Sequence, residues 1–286
     1  GGWLVALALV NALLVLPELA LRAAGFRCVS GVQFGYPTPD EFWELVPDEQ
    51  LFWRLPPGAD PPVNSLGFFG PEIEVPKPAG LWRLVVLGDS CTQVGFPESM
   101  PDHLARILAR RGAPLELVNL SMSGYSTHQG RALAERVVPA LDPDLVLVWY
   151  GWNDHWQAYG ATDREKRASL RYERLYRRSR LLQALRRIAL AAGLAGESRP
   201  NGTLRVPPDD FRANLEAIGA ALRPSGATLV FVTAPTAHRR LGVPEYLVAQ
   251  GFAPHPGAVV ERHLEYDEIV RQAAAAAGAE LLDFDA

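Results

Sequence analysis

The stretch Arg83-Leu-Val-Val-Leu-Gly-Asp-Ser-Cys-Thr-Gln-Val-Gly95 organises the chain. Leu84 to Leu87 form an unbroken apolar run, the pattern of a strand buried on both faces of a parallel sheet, and the run stops at Gly88-Asp89-Ser90. From about Glu98 to Arg111, Leu104, Ile107 and Leu108 recur at helical spacing. A serine is therefore expected at a strand-to-helix turn. In an open α/β sheet this is the carboxyl edge, where ligands bind and helix N-termini favour negative charge. Gly, Asp and Ser also suit an ordinary turn, so this stretch alone leaves a site and a bare turn both open.

Two later stretches repeat the arrangement. Leu115 to Leu120 reads as a second strand ending in Ser121-Met-Ser-Gly-Tyr-Ser-Thr127, a run that can also cap a helix from His128. Leu145 to Tyr150 reads as a third, ending in Gly151-Trp-Asn-Asp154. Three strand ends then face one cleft. Gly-Asp-Ser, the glycine Gly124 of the second loop, and Gly-x-Asn-Asp resemble, in order and spacing, three successive blocks of the SGNH (GDSL-type) hydrolases.

The resemblance runs from Leu84 to the C-terminus. It implies a three-layer α/β/α sandwich with a five-stranded parallel sheet, flavodoxin-like, carrying a serine esterase. Ser90 would be the nucleophile. The backbone N–H groups of Ser90 and Gly124 and the side-chain amide of Asn153 would form the oxyanion hole. An amide suits that place because it donates without needing a protonation state. By residue type alone, Asn153-Asp154 also suits a helix cap or turn. Asp89 is expected to be a hydrogen-bonding residue of the turn rather than a triad acid. The Gly-x-Ser-x-Gly elbow is not met, since Thr92 stands where its second glycine would be.

The family takes its general base and orienting carboxylate from an Asp-x-x-His block, and none occurs in this sequence. Ala279 to Phe284 reads as the fifth strand. The expectation is a native chain that starts before Gly1 and carries the catalytic His and Asp beyond Ala286. A pseudoenzyme or a relocated base is the competing expectation. Of His103, His128, His155, His238, His255 and His263, only His155 directly adjoins a block and is the stand-in.

Composition narrows the rest. The 286 residues suffice for one sizeable α/β domain with an appendage, and 48% hydrophobic with 21% charged is a globular balance. A net charge of -4 gives no hint of nucleic acid. Two cysteines make no disulfide framework, no metal-ligand spacing or dinucleotide glycine pattern is present, and no cofactor is implied. Cys91 is expected to be a small buried residue.

Gly1 to Pro17 carries no charge and is apolar apart from Asn11, so residues 1–26 are read as a single-pass membrane anchor with the catalytic domain on the extracytoplasmic side. A signal peptide and a buried core helix are the alternatives. Residues 27–80 read as a linker and irregular cap: Pro37, Pro39, Pro56 and Pro61 are interleaved with Phe42, Trp43, Phe52, Trp53, Phe68 and Phe69, too apolar for simple disorder. Residues 81–286 are the hydrolase-like domain. Within it, Asp163 to Arg187 is expected as one basic helix, solvated or lying on anionic lipid. Asp209 to Leu222 and Glu261 to Ala277 are expected as helices around a fourth strand, Ala227 to Thr233, and His238 to Gly257 as a loop near the site. Trp152 and Trp156 are either a wall of the site or core packing. The substrate class implied is an O-acyl ester of a lipid or a glycan. Transfer of the acyl group to a cell-surface glycan, and glycan binding without catalysis, are the alternatives.

Overall fold

The computed structural model describes residues 2–28, 44–58, 60–112, 114–166, 170–194, 200 and 202–284. In chain order its elements are α1 (Gly2–Ala23), the hairpin strands β1 (Val46–Asp48) and β2 (Phe52–Arg54), β3 (Trp82–Gly88), α2 (Ser90–Gln93), α3 (Met100–Ala109), β4 (Leu115–Asn119), α4 (Thr127–Arg136) and β5 (Leu145–Trp149). There follow α5 (Asp163–Lys166), α6 (Leu170–Arg178), α7 (Arg180–Ala191), α8 (Pro208–Leu222), β6 (Thr228–Val232), α9 (His238–Leu241), α10 (Glu245–Ala249), α11 (Pro256–Ala277) and β7 (Glu280–Leu282). Two compact units result. One joins residues 1–43 to 168–199, and the other joins 44–167 to 200–286.

The second unit is built on a five-stranded, all-parallel sheet in the order β4-β3-β5-β6-β7. The inner strands β3, β5 and β6 carry apolar runs because both their faces are covered, whereas the edge strands β4 and β7 are mostly half-buried or exposed. Leu84, Val86, Leu147, Trp149, Val230 and Val232 form one core, with Met100, Leu104 and Leu108 of α3 packed on it. Residues of opposite parity, Val85, Leu87, Val146, Val148 and Phe231, are equally buried. Helix α4 packs on α8 and α8 on α11, with α4 also against β3 and α11 against β6. This is the α/β class with the five strands expected. The chain leaves β3 toward β4 on one side and leaves the neighbouring β5 toward β6 on the other. The crevice of such a sheet opens at that switch point, beyond the carboxyl end of β3.

One charge lies inside the sheet. Arg83, fully buried in β3, donates Nε to Glu116 at 2.5 Å, Nη1 to the Leu141 carbonyl at 2.5 Å and Nη2 to the Glu74 carbonyl at 2.8 Å. These bonds offset the cost of taking a guanidinium out of water.

The described part of the proline- and aromatic-rich segment packs inward: Phe52, Trp53 and Phe68 are buried. Pro37, Pro39, Phe42 and Trp43 lie outside the described residues.

Three sequence expectations are corrected. The single helix from Asp163 to Arg187 is interrupted: α6 ends at Arg178, and Ser179 is extended at φ -105° and ψ 112°. The Ser179 hydroxyl accepts from the Leu182 N–H, and the Glu18 carboxylate takes the Arg180 and Leu181 N–H groups, so side chains replace the carbonyls that would have continued the helix. Cys91 is exposed, because the single turn of α2 directs Thr92 and Gln93 inward instead. The segment after His238 contains the short helices α9 and α10 rather than loop alone.

Candidate active site

Three loops meet at the switch point. The first leaves β3 through Gly88. A Cβ there would stand 2.1 Å from the Thr92 hydroxyl oxygen and 3.0 Å from that of Ser121, so only glycine lets α2 turn back over the strand. Asp89 caps α2 by accepting from the Cys91 N–H at 2.9 Å, and Ser90 is the first residue of that turn, half-buried. Asp89 is thus a hydrogen-bonding residue of the turn.

The second loop is tied to the first. Thr92 donates its hydroxyl to Ser121 at 2.7 Å, and the Asn119 amide donates to the Thr92 carbonyl at 2.8 Å. Gln93 Oε1 accepts from both the N–H and the hydroxyl of Ser123 at 2.7 Å. Gly124 follows at φ +81°, a left-handed conformation that favours glycine. Tyr125 then runs into a nest of buried aromatics, with ring centroids 5.8 Å from Trp53 and 6.3 Å from Phe68, and donates its hydroxyl to the Trp53 carbonyl at 2.5 Å.

The third loop joins the other two. Asn153 Nδ2 donates to the Tyr125 carbonyl at 2.9 Å and to Asp89 Oδ2 at 3.4 Å. One amide thereby bridges the residue after Gly124 and the residue before Ser90. The three residues singled out in the sequence are brought into one small region.

Residues 86–286 match the model of the GDSL-like Lipase/Acylhydrolase family. The chain belongs to this family. An arylesterase from Vibrio mimicus is 36% identical over 75 residues, a match that spans 25% of this chain and 38% of the relative's length. Among solved structures, a lipase/acylhydrolase from Enterococcus faecalis aligns over 71% of this chain and 76% of its own, at 17% identity and a TM-score of 0.43. The acetyl xylan esterase AlAXEase aligns over 71% of this chain and 77% of its own, also at 17% identity and 0.43.

In this GDSL-like member, residues without a local sequence signal hold the loops. Arg205 is buried and donates Nη2 to the Gly124 carbonyl at 2.8 Å and to Asp163 Oδ2 at 2.7 Å, with Nε 3.2 Å from Asp163 Oδ1. Asp163 also accepts from the Ser126 hydroxyl at 2.7 Å and from Lys166 at 3.0 Å. Burial pushes the Asp163 carboxyl up, but the charges of Arg205 and Lys166 prevail and hold it well below the usual range. Asp154 serves as the cap that its residue type also allowed. Its Oδ1 accepts from the Thr127 N–H at 2.9 Å and hydroxyl at 2.5 Å at the start of α4, while Oδ2 takes no hydrogen bond.

Burial raises two of these carboxyls. Asp154 is pushed up to about 7 and Asp89 to about 6, each against hydrogen bonds that pull the other way. A carboxyl raised on folding stabilises the fold below its unfolded value and loses that contribution as pH rises toward its folded value. The contribution of these two carboxyls to stability is therefore expected to fall between about pH 4 and 7. Asp154→Asn, which mimics the protonated acid, should flatten that fall, leaving the part owed to Asp89. Urea midpoints at several pH values, wild type against variant, measure it; identical slopes would refute the assignment.

His155 is fully buried. Its Nε2 lies 3.4 Å from His263 Nδ1, and its ring packs against Trp152, Trp156 and Tyr266. Burial first, and the His263 charge second, depress its pKa well below the ordinary value. The sequence's stand-in base is thus engaged with His263. Trp156 sits in a core with Leu247, Ala253 and Val259, and Trp152 packs on it and stacks on His263 at 4.3 Å, so packing accounts for both tryptophans. A cavity of about 290 Å³, lined by Arg131, Arg136, Arg164, Arg205, Asp210 and Asn214, lies at α4 and α8, and Ser90 is not among its lining residues.

The closeness of Gly88 to its neighbours gives a direct test of the first loop. Gly88→Ala is expected to cost about 1–3 kcal/mol through overpacking against Thr92. It should also lower turnover by shifting α2. Chemical denaturation and an ester assay on the same sample would show both effects or neither.

Proposed function

We propose that this chain carries a serine esterase site that hydrolyses an O-acyl ester of a lipid or an acylated glycan through an acyl-enzyme on Ser90. The observation that carries the reading is the Asn153 amide. One of its protons is held by the Tyr125 carbonyl at 2.9 Å, which sets the amide plane. The other is in a 3.4 Å contact with Asp89, at the limit of hydrogen-bond length, and is the proton available to an oxyanion. Asn153 and the backbone N–H groups of Ser90 and Gly124 then act as prepaid donors, each worth about 3 kcal/mol of barrier.

In the reaction, the Ser90 oxygen bonds to the acyl carbon, its proton passes to a general base, and the carbonyl oxygen takes the negative charge. Collapse expels the alcohol, and water repeats the sequence to release the acid. We assign residues 81–286 to the hydrolase domain, 27–80 to the linker and cap, and 1–26 to a single-pass anchor that keeps the domain at the extracytoplasmic face of a membrane. One described helix, α1, is long and apolar enough to cross a membrane.

A fluorophosphonate probe and p-nitrophenyl acetate test the site together. The probe's mass should appear on the peptide containing Ser90, and both labelling and turnover should vanish in Ser90→Ala. Turnover that survives the substitution, or labelling elsewhere, overturns the proposal.

A further inference from the structure

The unit formed by α1, α6 and α7 has a surface that the esterase reading does not use. We infer that α6 and α7 form a platform that lies on an anionic phospholipid surface beside the α1 span. The inference rests on the reading of α1 as a membrane span.

Depth comes first. The uncharged run of α1 ends at Glu18, the first charge of the helix, with Arg22 one turn later, and charged side chains stay at the interface, so its last turn falls at headgroup level. That turn is bonded to the corner between α6 and α7. Glu18 accepts from the Ser179 hydroxyl at 3.0 Å and from the N–H groups of Arg180 and Leu181 at 3.0 and 2.8 Å. Arg22 pairs with Glu18 at 2.7 Å and donates to the Arg178 carbonyl. Just beyond, the Cys28 N–H donates to Gln183 at 3.1 Å, and the Tyr176 hydroxyl to the Cys28 carbonyl at 2.9 Å. The corner therefore sits at the depth of the α1 terminus.

The exposed surface has the composition of an interfacial helix pair. Tyr172 and Leu175 on α6, and Leu185 and Ile188 on α7, lie three residues apart and so share a face of each helix. Leu185 and Ile188 are 53% and 63% exposed, and Leu194, just past α7, is 83% exposed. Residues Leu170 to Leu194 contain seven arginines and one acid, Glu173, which is buried and paired with Arg177 at 2.9 Å. Arg178 and Arg187 are exposed. Apolar residues that enter the acyl boundary beside arginines that reach phosphate are what an anionic bilayer binds.

The test uses the complete chain with Cys28 and Cys91 changed to alanine and an environment-sensitive fluorophore at Leu9→Cys or Ile188→Cys. The protein is reconstituted in phosphatidylcholine vesicles with or without phosphatidylglycerol, and quenching by brominated lipid is read. The Leu9 label should be quenched in both vesicles, and the Ile188 label in those containing phosphatidylglycerol. Arg178→Gln with Arg187→Gln should reduce the docked-to-free ratio about fivefold per charge. A quenched Leu9 label with an Ile188 label in water leaves the span standing and overturns the platform. A Leu9 label in water removes the span and the platform with it. An Ile188 label shielded in detergent but never quenched by lipid would mean a protein partner, and also overturns it.

Discussion

Arg205→Met is expected to lower the free energy of unfolding by about 3–5 kcal/mol, the usual cost of removing one partner from a buried ion pair. Asp163 is fully buried and, among the described residues, would keep Lys166 as its countercharge, while the Gly124 carbonyl would lose the Arg205 donor. The loss should appear as a lower urea midpoint at unchanged slope. Turnover should fall too, at temperatures where the variant is still folded. The Gly124 peptide would be free to rotate, so the deficit should lie in kcat more than in KM. Arg205→Lys retains the charge but not the fork that reaches Asp163 and Gly124 together, and should fall between the two. A loss below about 1 kcal/mol in the methionine variant would mean that the pair and its carbonyl contact are energetically idle.

Asn153→Ala should reduce kcat about 10²–10³-fold with little change in KM, the expected effect of deleting an oxyanion donor. The ground-state carbonyl gains little from the amide, whereas the tetrahedral oxyanion gains most. The same substitution removes the Asn153 donor from the Tyr125 carbonyl and from Asp89, which keeps the Cys91 N–H. A stability measurement on the variant separates loosening of the loops from loss of the donor. If KM rises and kcat holds, Asn153 contacts substrate without serving the transition state.

The sequence showed the inner strands clearly, because a strand covered on both faces must be apolar throughout its buried run, as Leu84 to Leu87 and Leu145 to Trp149 are. The three loops that hold Ser90, Gly124 and Asn153 were legible for a related reason: each begins where a strand ends and has its own residue pattern. What joins those loops was not legible. Arg205 sits in a proline-rich connection 42 residues after Asp163, its partner, and no periodicity links them. Asp163 itself read as the start of a basic helix, when it is the buried anchor of Ser126 and Arg205. The hairpin of β1 and β2 was hidden by short strands and by Phe52, which adopts a left-handed backbone at φ 69°. The break at Ser179 depends on Glu18, more than 150 residues earlier in the chain.

The nest around Tyr125 bears on where this protein can be divided. The family match begins at residue 86, inside β3 and well after the hairpin whose Trp53 carbonyl holds the Tyr125 hydroxyl. The part that the family model covers is therefore smaller than the compact unit that encloses Tyr125. A chain begun at that boundary would lose part of β3 and expose an aromatic socket around Tyr125, next to Gly124. Shuffling this domain onto a new partner thus requires carrying the hairpin with it.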